Sequence, residues 1–213
     1  MAGFSEAGTV LNGVGEAQEL HGVAVAGDFF ETLGIPPMLG RGFTAEEAKV
    51  GAPNVVVIGH GLWQRAFASN PGVIGQQVTL ASRPYTILGV LPPGWRFPVQ
   101  MESSEFVMPL APLVAKDVPV RGSRFVRMIG RVKPGLSVKQ AEAELKPIAA
   151  RLAQQYPDTN SDRSVGLVSL LQDVDGNVKP ALLVLLGAAA LVVLLACANL
   201  ANLLLARASA LSP

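Results

Sequence analysis

The sequence predicts an α+β fold that ends in one membrane-spanning helix. Three observations carry that prediction. Residues 181–198 contain no charged or strongly polar side chain, a run of 18. At about 1.5 Å of rise per residue, roughly 20 apolar residues cross a hydrocarbon core about 30 Å thick. Before that run, short strand and helix signals mix without a regular βαβ period. The remaining residues, 1–177, suffice for one ordinary domain or two small lobes.

Residues 1–20 are Gly-rich and weakly patterned, with a strand expected at 18–26. "GDFFETLGI" (27–35) reads as a short helix that Asp28 can cap and Gly34 can end. "PPMLGRGFTAEEA" (36–48) is a loop entering a helical turn, in which Thr44 precedes Glu46 and Glu47. Val55–Ile58 forms a buried strand, and 62–68 a helix with Leu62, Trp63, Ala66 and Phe67 on one side. "QQVTLASRPYTILGVLP" (76–92) alternates around a tight turn at 82–84, a β-hairpin. "GWRFP" (94–98) is a turn with an aromatic plug, "EFVMPL" (105–110) a strand, and 111–123 a polar, Pro-containing loop.

"SRFVRMIGRVKPG" (123–135) alternates as a strand does. The helix at 137–157 opens on Ser137 and Gln140, which fit a capping box. Val138, Ala141, Leu145, Ile148 and Leu152 keep helical spacing, and Pro147 should kink or break the helix. "RSVGLVSL" (163–170) is a last strand before the linker "QDVDGNVKP".

The apolar run shows no polar stripe of the kind a soluble amphipathic helix carries. Asn199 and Asn202 interrupt it near its end and share a helix face. They are the candidate interhelical polar contacts in the membrane; alternatively they meet water at the headgroup boundary. Arg207 closes the segment. The positive-inside tendency then puts that end in the cytoplasm and the preceding residues outside.

The chain has 17 Lys plus Arg against 16 Asp plus Glu, net +1. It therefore lacks an electrostatic footprint for nucleic acid. Its one cysteine, Cys197, lies in the apolar run and reads as an inert small hydrophobe. An intramolecular disulfide is thus impossible, and cysteine usage is silent on redox compartment. The first thirty residues lack the basic and apolar regions of a signal peptide. A C-terminal span without a leader would make a tail-anchored cytoplasmic protein, against the charge asymmetry. The expectation that reconciles them is a fragment of a longer membrane protein.

Residues with catalytic or ligand-binding potential do not assemble into a motif. His21 and His60 have no neighbours at metal-ligand spacing. "GHGLW" (59–63) has the shape of a nucleophile elbow but carries His in place of Ser. "NGVGE" (12–16) lacks the third glycine of a dinucleotide fingerprint, and there is no Gly-Lys-Ser/Thr phosphate loop. "DVDGN" (173–177) begins like a calcium loop, but its Gly comes too early and Val184 stands where Glu belongs. Glu46 with Glu47, and Glu142 with Glu144, do not share a helix face and read as solvated. No catalytic, cofactor-binding or metal-ligating residue is assigned.

Several of these stretches, in order, are familiar. "VAGDFFETLGIPPMLGRGFTAEEAKVGAPNVVVIGHGLWQRAFASNPGVIGQQVTLASRPYTILGVLPPGWRFP" and "RVKPGLSVKQAEAELKPIAARLAQQYP" resemble the periplasmic core domain of MacB-like ABC transporter permeases. "LLVLLGAAALVVLLACANLANLLLARA" looks like the helix that opens their FtsX-like membrane domain. The resemblance covers roughly residues 18–208. It implies a two-lobed extracytoplasmic domain over 1–177, with a β-rich lobe at about 36–115 and an α/β lobe from 1–35 with 120–172. A transmembrane helix at 178–208 follows. It also implies a bacterial inner-membrane location, an ABC ATPase partner, a second permease copy, surrounding lipid and no cofactor of its own. The chain ends "ASALSP", where the family continues into a basic coupling segment.

The leading expectation is therefore a non-enzymatic permease component that transmits ATP-driven motion for export or envelope remodelling. The second is a membrane-anchored extracytoplasmic binding or sensor module, with a pocket lined by Trp63, Trp95 and Phe97. A membrane-anchored hydrolase comes third, because no nucleophile–base set can be assembled.

Overall fold

A long hairpin opens the chain. Strand β1 (Ala2–Asn12) pairs antiparallel with β2 (Gln18–Gly27), Ala2 opposite Gly27 and Leu11 opposite Gln18. The computed structural model describes residues 1–95, 97, 104–114, 124–170 and 178–210. They fall in two units, Met1–Leu167 and Val168–Pro213.

The remaining strands of the first unit extend the hairpin into a ladder that returns to its start. β2 lies parallel to β7 (Phe106–Pro109), and β7 antiparallel to β4 (Val55–Ile58). β4 lies parallel to β6 (Arg83–Val90), and β6 antiparallel to β5 (Gln77–Leu80). β5 then meets the far end of β1, Leu11 opposite Leu80. Six strands thus pair in a closed cycle. β3 (Leu39–Gly40) adds to β6, and β8 (Arg127–Ile129) to the start of β1. The strands of segment 1–35 and those of segment 54–110 belong to one sheet.

At β4 and β7 both faces of the sheet are buried, which explains why these strands read as unbroken apolar runs, "VVVI" and "FVMP". Leu11, Leu20, Val56, Ile58, Ile87 and Phe106 pack in one cluster, against which Leu62 and Phe67 of α2 (His60–Phe67) settle. Phe4, Val25, Val57 and Val107 alternate with that set along the same strands and are also buried. Phe97 plugs this other set, its ring 4.6 Å from Phe4 edge-on and 5.4 Å from Phe29. It is the aromatic plug that the sequence places in "GWRFP"; Arg96 and Pro98 lie outside the described residues.

Several expectations are corrected. Residues 2–12 form a strand where the sequence is weakly patterned; β1 is specified by its ten-residue register with β2 rather than by Val, Ile or aromatic content. Helix α1 (Phe29–Leu33) starts at Asp28, but Asp28 makes no side-chain cap bond, because its backbone (ψ 63°) is not extended as a capping residue's is. Gly34 ends the helix in the left-handed conformation, as expected (φ 72°). The β5–β6 loop is the pair Ala81–Ser82, both at positive φ (46° and 62°), while Pro84 lies inside β6 opposite Thr79.

Helix α3 (Val138–Gln155) begins with the predicted capping box, Ser137 with Gln140. It runs through Pro147 without a break. Pro147 and Ala143, whose carbonyl loses its partner, are both exposed, so water can take that bond. None of the α3 side chains is buried, and Ile148 of its apolar stripe is exposed. A short helix, α4 (Pro157–Asn160), follows. The strand expected over 123–135 shrinks, among the described residues, to the three residues of β8, which pair with Ala2–Phe4. Residues 163–169 are not in a ladder; Leu167 N–H instead donates to the Glu142 carboxylate at 3.4 Å.

In the second unit, α5 (Val178–Ala210) is 33 residues long. Its stretch Leu182–Asn202, 21 residues, measures about 31 Å at the helical rise, enough to span a bilayer core. Every side chain described along it is exposed. The linker and calcium-like stretch (171–177), the loop from 115 to 123 and the last three residues lie outside the described residues, as do the side chains of Arg207 and Ser209.

Candidate functional site

Two clefts in the first unit are lined by described residues, and the second unit carries an exposed apolar helix. The smaller cleft, about 130 Å³, sits where β4 runs into α2. Gly59 makes the turn. A Cβ there would stand 3.0 Å from the Ser104 carbonyl oxygen and 3.1 Å from that of Glu105, so a side chain at this turn would be crowded by both carbonyls. Its N–H donates to Glu105 O at 2.7 Å. Since glycine has no side chain and the first turn has no acidic residue, the amino end of α2 is uncapped. His60 follows at the first helical position, its ring 5.6 Å from Trp63. Strand, turn and helix thus adopt an elbow, but no nucleophile occupies it.

Glu105 organises the opposite wall. One carboxylate oxygen accepts the His21 backbone N–H at 3.1 Å, and the other is ion-paired with Arg65 of α2. Glu105 N–H donates to His21 O at 2.7 Å, which ties β2 to the approach of β7. Ser104 completes the wall. It is the one buried polar residue among those described, 6% exposed, and its Oγ has no hydrogen-bond partner. Trp95 closes the cleft beside Pro92 and Gly94.

The larger cleft, about 560 Å³, lies between α1 and the turn at 41–48. Phe30 and Phe43 stand 5.5 Å apart on its wall, and Asp28 and Glu31 line it. Glu47 shapes that turn. Its carboxylate takes Arg41 at 2.7 and 2.8 Å and the Thr44 N–H at 2.8 Å, while its own N–H donates to Thr44 Oγ1 at 3.3 Å. This reciprocal pair is a capping box in a single turn. The Arg41 guanidinium first, and the Thr44 donors after it, lower the Glu47 carboxyl to about 2, although partial burial works the other way.

Glu47 is therefore not the solvated carboxylate that its sequence neighbourhood implies. Glu142 is engaged as well, with Lys146 at 2.8 Å, while Glu144 makes no such pair among the described residues. Trp63, Trp95 and Phe97 do not line one pocket. Trp63 packs partly buried on the core and donates Nε1–H to Asn70 O at 2.9 Å, Phe97 is in the core, and Trp95 alone reaches the small cleft. Among the described residues no three His, Cys, Asp or Glu side chains gather around a metal-sized position. Asn199 and Asn202 lie on α5, both exposed. Arg65, Ser104 and Glu105, which build the small cleft, carry no motif; the only signal for them is Gly59 ahead of an amphipathic helix.

Comparison with known proteins follows the same outline. Residues 2–148 match the model of the MacB-like periplasmic core domain. The chain is 30% identical over 170 residues to the protein named "Probable export ATP-binding/permease protein MacB" of Pseudomonas entomophila (strain L48). The match takes in 79% of this chain and 23% of that one, so the chain spans about a quarter of that relative's length. Its fold is similar to the crystal structure of the periplasmic region of MacB from Actinobacillus actinomycetemcomitans (TM-score 0.53, 17% identity, 75% of this chain and 68% of that chain). It is equally similar to the extracellular domain of the noncanonic ABC-type transporter YknZ from Gram-positive bacteria (TM-score 0.53, 16% identity, 73% and 75%).

Proposed function

This chain belongs to the MacB-like periplasmic core domain family, and on that premise we propose that it is an extracytoplasmic permease domain whose motion is coupled to an ATPase through α5. The observation that carries the reading is the order of parts: a MacB-like core domain over 2–148, then a helix with 21 residues apolar enough to cross a bilayer. In this reading residues 1–177 stand outside the inner membrane and 178–208 cross it. ATP-driven movement of the membrane helices is passed to the folded unit, for export or for remodelling of the envelope.

The sequence has no phosphate-binding loop, so hydrolysis comes from an ATPase subunit or domain rather than from these residues. Asn199 and Asn202 hydrogen-bond to a neighbouring helix, either from the same permease or from a second copy. In lipid an amide without a partner is costly, and both lie on one exposed face. The domain acts by binding and transmitting force, and the transported molecule is left to the whole assembly.

Topology tests this reading. Ser161 is exposed in the first unit, whereas Ser104 is buried and would not report. In intact cells making the full-length protein, a membrane-impermeant thiol reagent should label Ser161→Cys and spare Ser209→Cys, with Cys197 replaced by Ala. The reverse pattern would place the folded unit in the cytoplasm and end the permease reading.

A further inference from the structure

The larger cleft, between α1 and the turn at 41–48, has a chemistry that the permease reading does not use. Its volume of about 560 Å³ falls within the roughly 300–1,000 Å³ of small-molecule sites. Phe30 and Phe43, their ring centroids 5.5 Å apart, line it together with Val25 and Pro109. The Phe30 ring lies close against the backbone of Gly42, where a Cβ would stand 2.6 Å from its Cδ2. The turn that carries Phe43 is itself held by the Arg41–Glu47 pair and by Thr44, so the aromatic wall is built rather than loose.

Two carboxylates share this lining. Asp28 and Glu31 stand three residues apart at the start of α1. Among the described residues neither carboxylate has a hydrogen bond or an ion pair. Arg41 is the one cation among the described lining residues, and Glu47 takes it through two bonds, so its charge is already offset. The cleft therefore keeps uncompensated negative charge beside an aromatic wall. That combination selects among ligands. A bare divalent cation needs about six oxygen donors, and no three acidic, His or Cys side chains gather around one position among the described residues. An anion meets like charge, and a neutral apolar molecule leaves both carboxylates unused. An ammonium group with an apolar substituent satisfies both features, since carboxylates and aromatic rings each attract a cation.

We propose that this cleft binds an organic ammonium, an amine carrying an apolar or aromatic substituent, with Asp28 and Glu31 as its counter-charges and Phe30 and Phe43 as its wall. The inference stands apart from the membrane reading, because it involves only the folded unit.

The test uses the full chain in a maltoside detergent, which carries no charge to compete. Phenethylammonium, the neutral 2-phenylethanol and the anion phenylacetate are titrated by calorimetry at pH 7 and constant ionic strength, with detergent alone as the blank. Saturable binding of the amine is expected, about tenfold tighter than that of the alcohol, with phenylacetate the weakest. The double variant Asp28→Asn, Glu31→Gln should bring amine and alcohol to equal affinity while leaving the alcohol unchanged. Both positions are exposed and unpaired, so the fold should survive, which the melting temperature checks. Should the double variant fail to fold, Glu31→Gln alone carries the comparison and should lower the preference several-fold. Phe43→Leu keeps an apolar wall without a ring and should weaken the amine more than the alcohol. No saturable binding of the amine, equal affinity for amine and alcohol in the parent, or a preference that persists without the carboxylates would overturn the proposal.

Discussion

Glu47 holds Arg41 through two parallel bonds, Nη1 to Oε2 at 2.8 Å and Nη2 to Oε1 at 2.7 Å, across one turn of chain. The pair closes the turn at 41–48 over the larger cleft, and it has a consequence for stability against pH. The Glu47 carboxyl is depressed to about 2 in the folded state. A depressed carboxyl stabilises above its unfolded value, near pH 4, and that stability disappears as pH falls toward 2. Because Arg41 is half exposed and screened, the contribution is about 1 kcal/mol. Glu47→Gln should lower the melting temperature at pH 7 and should flatten its decline between pH 4 and 2. Equal slopes in parent and variant over that window would show that the pair contributes nothing.

The hairpin loop Ala81–Ser82 holds two non-glycine residues at positive φ. Two-residue loops of this kind favour Asn-Gly. The double variant Ala81→Asn, Ser82→Gly should therefore stabilise the chain by about 1 kcal/mol, mainly by removing left-handed strain at Ser82. Denaturant unfolding with an unchanged slope and a higher midpoint would bear this out; a lower midpoint would count against the assigned turn.

Gly22 sits where β2 meets β7. A Cβ at this position would lie 2.3 Å from the Phe106 carbonyl oxygen and 2.7 Å from its ring, and neither can move without opening the parallel pairing. Gly22→Ala should cost about 3 kcal/mol, at the upper end for overpacking. Gly8→Ala on the neighbouring strand is the control, since it meets nothing within 4 Å. Similar losses in the two would refute the β2–β7 contact.

Phe97 is 2% exposed between the rings of Phe4 and Phe29. Phe97→Ala should cost about 4 kcal/mol through lost burial and the cavity left behind, whereas Phe97→Leu should recover roughly half of that. Urea unfolding of the three proteins decides it, and a loss below about 1 kcal/mol for the alanine variant would place Phe97 outside the core.

The most local features were legible in the sequence. The long apolar stretch of α5 follows from 18 residues without a polar atom in their side chains apart from one thiol, a run whose length suits a bilayer crossing. The capping box of Ser137 and Gln140 lies three residues apart, so both partners are visible in one short window. The glycine stop at Gly34 and the hairpin at 76–92 depend on equally local rules.

What only the tertiary structure decided involves partners far apart in the chain. β1 has little strand propensity, and it exists because β2 pairs with it along its whole length while β5 and β8 take the two ends of its other edge. Glu105 meets Arg65 from 40 residues away and His21 from 84. The apolar runs of β4 and β7 revealed burial, but not which strands lie beside them. Local rules bind residues within one turn of chain, where geometry is fixed by φ and ψ. Pairing between distant segments is fixed by the closure of the ladder and by the packing it encloses, and no window of sequence contains both sides of such a contact.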